Sequence, residues 1–515
     1  MFLGPQPIVT EPDLRRGLKA LMWDAAFATA VGALNSGVVL AAYALHLGAS
    51  NAVIGVLAAL PFWTQILQAP AVALVERLRA RRLISVVCVF VARLALPVMA
   101  VLAFLPNRPL ALVILVAAEG VHCAFNAVGA CSWNSWIRDL VPEERLGRFF
   151  ARRSTYAAVI GMTGSLLAGV ALDRGGEHSG LVFAALYGLG FLASLVSTAQ
   201  LARVPEPVME GEQPMHLLRL LRLPLRDVNF RRLIVFLSSW QFAVNIATPF
   251  FTVYFLRQLG FGVTFVLALS VVSQIANLMV LRGWGRLSDR FSNKSVLSVA
   301  APAFIACIAA MAGASQIEGR VAAGAYLVGL HVVMGMASAG VGLASGNIAM
   351  KLAPRGAATV YIATNSLVTS AAAGAAPLLG GLFADFFAAR ELTVSVLWKN
   401  PSGIYPLLPL QFTNWDFYFL IAAAFGLYAL HRLTLVREEG TVENRLMVQE
   451  VLLEARRAVV NLSPVAGLRQ AIAFPAASMV GLPHLRRLRR AERLRGGPPL
   501  PGGGEGGAHG AAMGG

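Results

Sequence analysis

Long apolar stretches alternate with short polar runs along almost the whole chain. Stretches near 24–46, 53–74, 83–105, 108–134, 154–173, 180–202, 232–256, 263–284, 296–316, 321–349, 357–387 and 416–436 are each about long enough to cross a bilayer as a helix. The polar breaks are short enough that consecutive helices must turn back on each other. The break Gly285–Lys294, between the eighth and ninth stretches, is the clearest case. Twelve crossings leave both chain ends on one side. The basic residues support that count. With the N-terminus inside, inner segments ahead of the C-terminal tail carry 24 Arg and Lys, against six on the outer side, at 108, 174, 257, 320, 390 and 399. That asymmetry is the one expected of cytoplasmic loops. The pattern predicts an all-α polytopic membrane protein with twelve transmembrane helices and both termini cytoplasmic.

The pattern also divides the chain. Residues 1–203 and 231–438 each hold six crossings. A linker, 204–230, starts acidic with Glu206, Glu210 and Glu212, then becomes amphipathic from Leu217 and is suited to lie in the membrane interface. The longest outer loop, about 388–415, carries Trp398, Tyr405 and Trp415, read as interfacial aromatics with a lid as the alternative. Residues 439–515 form a tail. In it a helix is expected over 442–462, followed by a basic cluster ending in Arg486–Arg495 and a disordered Gly/Pro-rich end.

The two halves carry related residues. Leu287, Asp289, Arg290 and Lys294 lie 213 positions after Leu74, Glu76, Arg77 and Arg81, and Asn347 lies 213 after Asn134. One gap later, Pro354, Ser366, Gly381 and Asp385 follow Pro142, Ser154, Gly169 and Asp173. Matches in separate regions at nearly one offset point to a duplicated half, a common feature of transporter folds. The run Gly285-Arg-Leu-Ser-Asp289-Arg290-Phe-Ser-Asn-Lys294 resembles the loop signature of the major facilitator superfamily, found between the second and third helices of each half. The first-half copy departs from it, with Val72 for the glycine and Glu76 for the aspartate. Residues 139–154 resemble that family's loop between the fourth and fifth helices. The resemblance covers about residues 18–438. It implies two pseudo-symmetric six-helix bundles and alternating-access transport of a small solute in the bacterial inner (plasma) membrane by a monomer. It also implies a conformational gate of Gly285, Asp289, Arg290 and Lys294 with Glu76, Arg77, Asp139 and Arg148. A lipid-handling protein or a non-transporting sensor on the same scaffold is the alternative.

Composition narrows the chemistry. At 57% hydrophobic and 13% charged over 515 residues, the chain is too apolar for an ordinary soluble protein. The net charge of +17 is almost all arginine, and nucleic acid is not expected as a partner, since no folded binding module accompanies it. Anionic lipid at Arg486–Arg495 is the reading of the tail. Cys88, Cys123, Cys131 and Cys307 all lie in apolar stretches, as buried hydrophobes do. No phosphate loop or His-Glu-x-x-His motif occurs. No cofactor, metal or enzymatic activity is expected, so a gradient must supply the energy and protons are the candidate coupling ion.

Polar residues inside the crossings are then the ones that need a reason, because each buried charge costs about 2.5–3.5 kcal/mol on insertion scales. Arg93 and Glu119 come to similar depth on the third and fourth crossings, and an ion pair between them is expected, either as a packing contact or as a proton-exchange site. Glu119, His122, Asn126 and Trp133 recur at helical spacing on one face. By the resemblance the first, fourth, seventh and tenth helices line the cavity. Asn35 and Ser36, Gln241, Asn245 and Thr248, and His331 and Ser338 join the candidates there. Asp24 is expected to pair with a loop cation such as Arg145 or Arg148. The small-residue run Gly374–Gly381 resembles a motif of proton-coupled antiporters, though helix contact explains it equally well.

Overall fold

Helices form wherever the apolar stretches fall, and five of them begin at a residue whose side chain caps them. The computed structural model describes residues 4–209, 223–354, 358–388, 390–400, 403–440 and 447–450. One compact unit, Met1–Val448, holds the architecture. Its first half contains α1 (Glu11–Asn35), α2 (Val38–His46), α3 (Asn51–Trp63), α4 (Gln68–Leu78), α5 (Arg81–Arg93), α6 (Ala95–Leu102), α7 (Arg108–Leu140), α8 (Glu143–Gly175) and α9 (Ser179–Leu201). After a short α10 (Leu223–Arg226) come α11 (Val228–Val253), α12 (Val263–Arg290), α13 (Asn293–Met311), α14 (Arg320–Leu352), α15 (Ala358–Phe387) and α16 (Asn414–Thr434). Thr10, Ser50, Asn107, Asp227 and Ser292 each accept a backbone N–H in the first turn of the helix they precede.

Eleven helical segments among the described residues are long and apolar enough to cross a membrane. One of them, Glu143–Leu201, is 59 residues long and consists of α8 and α9, separated at Gly176, whose φ of +48° breaks the helix. At about 1.5 Å per residue an unbroken helix of that length would far exceed the hydrocarbon thickness. Each expected crossing is therefore represented by helix. The first begins earlier than its hydropathy indicates, because Thr10 caps a polar, amphipathic turn at Glu11. Three crossings are broken. The first breaks at Ser36–Gly37, where Gly37 has a φ of +58°. The second passes through a tighter turn at Thr64–Leu67 after Pro61, and the third breaks between Arg93 and Ala95.

Within the first half α1 packs on α9 and α8, and α5 on α7. Within the second half α12 and α13 pack on α14, and α11 on α15 and α16. The halves meet through α3 against α15 and α8 against α12. Two segments differ from the sequence expectation. The outer loop is an antiparallel hairpin of β1 (Glu391–Asn400) and β2 (Gly403–Thr413), with Trp398 opposite Tyr405 in the register. Two strands of ten and eleven residues satisfy their backbone groups against each other where an open loop would need solvent. The acidic start of the linker is packed into the first half. Val204 and Glu206 are fully buried, Trp136 donates its indole N–H to Pro205 O at 2.9 Å, and Gln6 N bonds Glu206 O at 2.7 Å. The amphipathic segment from Leu217 lies outside the described residues up to Leu223. The basic cluster Arg486–Arg495 and most of the expected tail helix also lie outside them.

Candidate functional site

A cavity of about 810 Å³ lies between the halves, within the range of small-molecule sites. The α1–α2 break, α3 and α7 line it from the first half; α11, α12 and α14 line it from the second. The break matters because a positive φ at Gly37 frees Ser36 and Gly37 from the helix and sets them against the cavity. From α7 come Glu119, His122 and Asn126, the polar face read from the sequence. Thr248 and Thr252 come from α11, Ser270, Ser273 and Gln274 from α12, and His331 from α14. Among the described residues no Arg, Lys or Asp lines the cavity.

The two histidines are held alike. His122 Nδ1 donates to Ala92 O at 2.9 Å, and His331 Nδ1 donates to Leu327 O at 2.8 Å. A ring that donates through Nδ1 keeps Nε2 as its acceptor. Glu119 is buried, at 7% exposure, and accepts a weak hydrogen bond from Cys123 Sγ at 3.3 Å. Among the described residues it makes no ion pair.

The expected Arg93–Glu119 pair is not formed. His122 takes the Ala92 carbonyl beside Arg93, while Glu119, about one turn away, turns to the cavity. Arg93 is 8% exposed, its Nε and Nη1 have no hydrogen-bond partner, and the acid whose charge reaches it is Asp24 of α1. Asp24 is not held by Arg145 or Arg148 either. It accepts from Ser197 Oγ at 2.7 Å and lies in the field of Arg153, whereas Arg145 pairs with Glu11 at 2.8 Å. Helix depth explains the difference: Asp24 lies almost four turns into α1 and the loop cations lie at its entrance.

Three further candidates serve packing. Asn35 Nδ2 donates to Val31 O at 3.0 Å, and its amide fills the space that glycine leaves at Gly190. Asn245 Nδ2 donates to Gln241 O at 2.8 Å, and neither residue lines the cavity. Ser338 accepts from Asn277 Nδ2 at 3.0 Å, tying α14 to α12.

At the ends that the Arg/Lys distribution assigns to the inside, the duplicated residues Arg81 and Lys294 occupy matching positions. The N-terminus of α5 has no side-chain cap of its own, and Glu206 supplies one, accepting from Arg81 N at 2.6 Å and Arg82 N at 3.1 Å. In the second half Glu438 accepts from Lys294 N at 2.7 Å and from Lys351 Nζ at 2.9 Å. The Arg81 guanidinium pairs with Asp139 and donates to Pro207 O at 3.1 Å, and Lys294 Nζ donates to Val436 O at 2.6 Å. Glu76, Arg77, Arg148 and Asp289 are exposed. Asp289 makes no ion pair among the described residues, and Arg290 lies 5.0 Å over the Phe291 ring. Gly285 faces Leu343 of α14 at 3.9 Å from an added Cβ.

The outer ends hold contacts that sequence reasoning missed. Asp173, at the end of α8, accepts from Val263 N at 2.7 Å and Thr264 N at 2.9 Å, capping α12, whose own N-cap is Gly262. Asp385, at the end of α15, accepts from Asn51 N at 3.2 Å and Ala52 N at 2.9 Å, the first turn of α3. Each aspartate thus caps a helix of the opposite half, and the two are mates in the repeat. Gly169 and Gly381, also mates, stand one turn before them. A Cβ on either would lie 2.8 Å from the Cα of Thr264 or Ala52. Arg257 adds a bond from its Nη2 to Ala49 O at 2.9 Å. The run Gly374–Gly381 therefore works as a packing surface: Gly374 meets Trp63, and the Pro377 carbonyl sits against Gly55. The signal for the aspartates was present as the Asp173–Asp385 repeat. Nothing in the sequence said which helix each would meet.

Two bundles joined at one end around a shared cavity define a membrane transporter fold. The Major Facilitator Superfamily family model matches residues 23–377, and the chain belongs to that family. Among solved structures it is similar to the nucleoside transporter NupG, with a TM-score of 0.61 at 14% identity, covering 81% of this chain and 98% of that one. A bacterial homologue of the iron transporter ferroportin in an inward-facing state aligns with a TM-score of 0.58 at 13% identity, over 82% and 98%. The D-xylose-proton symporter aligns with a TM-score of 0.57 at 14% identity, over 84% and 98%. These identities carry the fold alone. No curated protein matches the sequence.

Proposed function

We propose that the protein moves a small neutral or cationic solute across the bacterial inner membrane by alternating access, with Glu119 as the coupling carboxylate. The observation that carries this reading is the charge of the cavity wall. Among the described residues its ionisable side chains are Glu119, Cys123, His122 and His331, with no Arg or Lys beside them. An organic anion would enter without a counter-charge and lose its hydration, a heavy cost in a low-dielectric site. A lone carboxylate there must be matched by something that arrives, either a proton or a cationic group of the solute. Hydroxyls, amides and two imidazole acceptors offer hydrogen bonds to a polar solute, and the apolar remainder of the wall suits a flat or hydrocarbon face. Among the described residues no three His, Cys, Asp or Glu side chains gather in a way that would hold a metal ion, which weighs against a metal cargo. A cavity flanked by both halves and by Glu119 and His122 favours a soluble solute over the lipid-handling alternative.

The Asp173 and Asp385 contacts join the halves at their outer ends, which fits an inward-facing state. The arginine distribution supports cytoplasmic termini. The test begins with thermal-shift screening of the purified protein against nucleosides, sugars, organic amines and dicarboxylates. Stabilisation by a neutral or cationic class is the expected result, and stabilisation by dicarboxylates alone would overturn the reading. With the stabilising solute in hand, flux into proteoliposomes is compared with and without a pH gradient. Glu119→Gln should remove the response to the gradient. Full retention of that response would remove Glu119 from coupling.

A further inference from the structure

A second concavity, of about 740 Å³, lies between α1 and α8 at their inner ends, outside the central cavity. Lys19, Arg145, Arg148 and Arg152 stand along it, and its floor is apolar, with Leu18, Met22, Ala26, Phe149 and Ile160. Trp23 and Tyr156 complete the wall.

The groove opens to lipid. Tyr156 is 47% exposed, and its face of α8 continues toward the outer end through Val159 and Leu167, at 54% and 65% exposed. At that level α8 already packs on α12 through Gly169, so large exposed apolar side chains there face hydrocarbon. From Arg152 to Leu167 the helix rises about 22 Å, which sets the cations near the headgroups when Leu167 is in the acyl region.

The charges are largely uncommitted. Arg145 is taken by Glu11, and Arg16 by Asp13. Lys19, Arg148 and Arg152 make no ion pair among the described residues, and Arg152 lies 5.8 Å over the Tyr156 ring. Three unmatched cations above an apolar channel, with a Trp and a Tyr at the boundary, fit one ligand chemistry: a phosphodiester headgroup carrying acyl chains. We propose that this groove is a binding site for one anionic phospholipid of the inner leaflet. Its phosphate would take the guanidinium groups of Arg148 and Arg152 and the Lys19 ammonium, and an acyl chain would lie along Met22, Ala26 and Ile160. The sign and spacing of basic loops account for scattered cations at this level, but not for three converging on a concave apolar floor. This site is distinct from the basic tail.

The test uses the full-length protein in liposomes and reads tryptophan quenching by phosphatidylglycerol or phosphatidylcholine brominated on the acyl chains. Brominated phosphatidylglycerol should quench at about a ten-fold lower mole fraction than brominated phosphatidylcholine. The preferentially quenched component should vanish in Trp23→Phe. The triple variant Lys19→Gln, Arg148→Gln, Arg152→Gln should lose the preference, while a matched removal of three exposed arginines elsewhere (Arg77→Gln, Arg138→Gln, Arg226→Gln) should keep it. Should the triple variant fail to fold, Ala26→Phe keeps every charge and fills the channel, and it too should lose the Trp23 component. Equal quenching by both lipids in the natural sequence would overturn the site. So would an equal loss in the matched control, which would leave only diffuse surface charge, or an undiminished Trp23 component in Ala26→Phe.

Discussion

Replacing Asp173 and Asp385 with asparagine tests whether the outer contacts hold the two halves together. Each carboxylate accepts two backbone N–H groups from a helix of the other half, at 2.7 and 2.9 Å for Asp173 and 3.2 and 2.9 Å for Asp385. Hydrogen bonds to a charged group contribute roughly 1.5–3 kcal/mol each, and a negative charge at a helix N-terminus adds about 0.3–1 kcal/mol. Asparagine keeps one carbonyl oxygen, so each substitution removes one bond and the charge. These contacts are largely solvent-exposed, so the low ends of both ranges apply, giving a loss of about 2 kcal/mol per site and about 4 kcal/mol for two sites that share no partner. Because both contacts exist only while the outer ends are together, the whole loss falls on that state. At 1.4 kcal/mol per factor of ten, the equilibrium should move roughly 100- to 1,000-fold toward outer opening. Spin labels at Glu177→Cys and Glu318→Cys, exposed outer positions in opposite halves, report the separation by pulsed electron resonance. Cys88, Cys123, Cys131 and Cys307 are replaced by alanine beforehand. The double variant should show a longer-distance population that the parent lacks, and each single variant a smaller one. An unchanged distance distribution in the double variant would refute the reasoning.

Two further outcomes are expected. Asp289→Asn should lower transport of the identified solute while the amount of folded protein in the membrane stays near normal, because Asp289 is exposed and makes no ion pair among the described residues; unchanged flux would remove it from the inner gate. Glu206→Ala removes the carboxylate 3.6 Å from the Nε of the fully buried Arg81, which keeps its pair with Asp139, and uncaps α5. The two backbone N–H bonds lost at the start of α5 contribute about 1.5–3 kcal/mol each, so the thermal unfolding midpoint in detergent should fall clearly, whereas Glu144→Ala should leave it in place.

What could be read without coordinates was set by the membrane. Hydrocarbon forbids unpaired backbone, so apolar length and the Arg/Lys asymmetry gave the helices and their order, while the residue matches at one offset pointed to the duplication. The polar face Glu119–His122–Asn126 was legible for a related reason: helical spacing carries a stripe to one side whatever it meets. Partner choice was not legible. Depth along two helices made Arg93 and Glu119 look like neighbours, but depth says nothing about rotation, and the His122 bond to Ala92 together with the turn of α7 sent the two charges apart. Glu206 read only as one acid of an acidic linker start, because nothing local reveals that an uncapped α5 waits for it. Asp173 and Asp385 were visible as repeat mates and silent as contacts. A helix N-terminus leaves its first N–H groups unpaired, and only the packing of one half on the other decides whose carboxylate satisfies them.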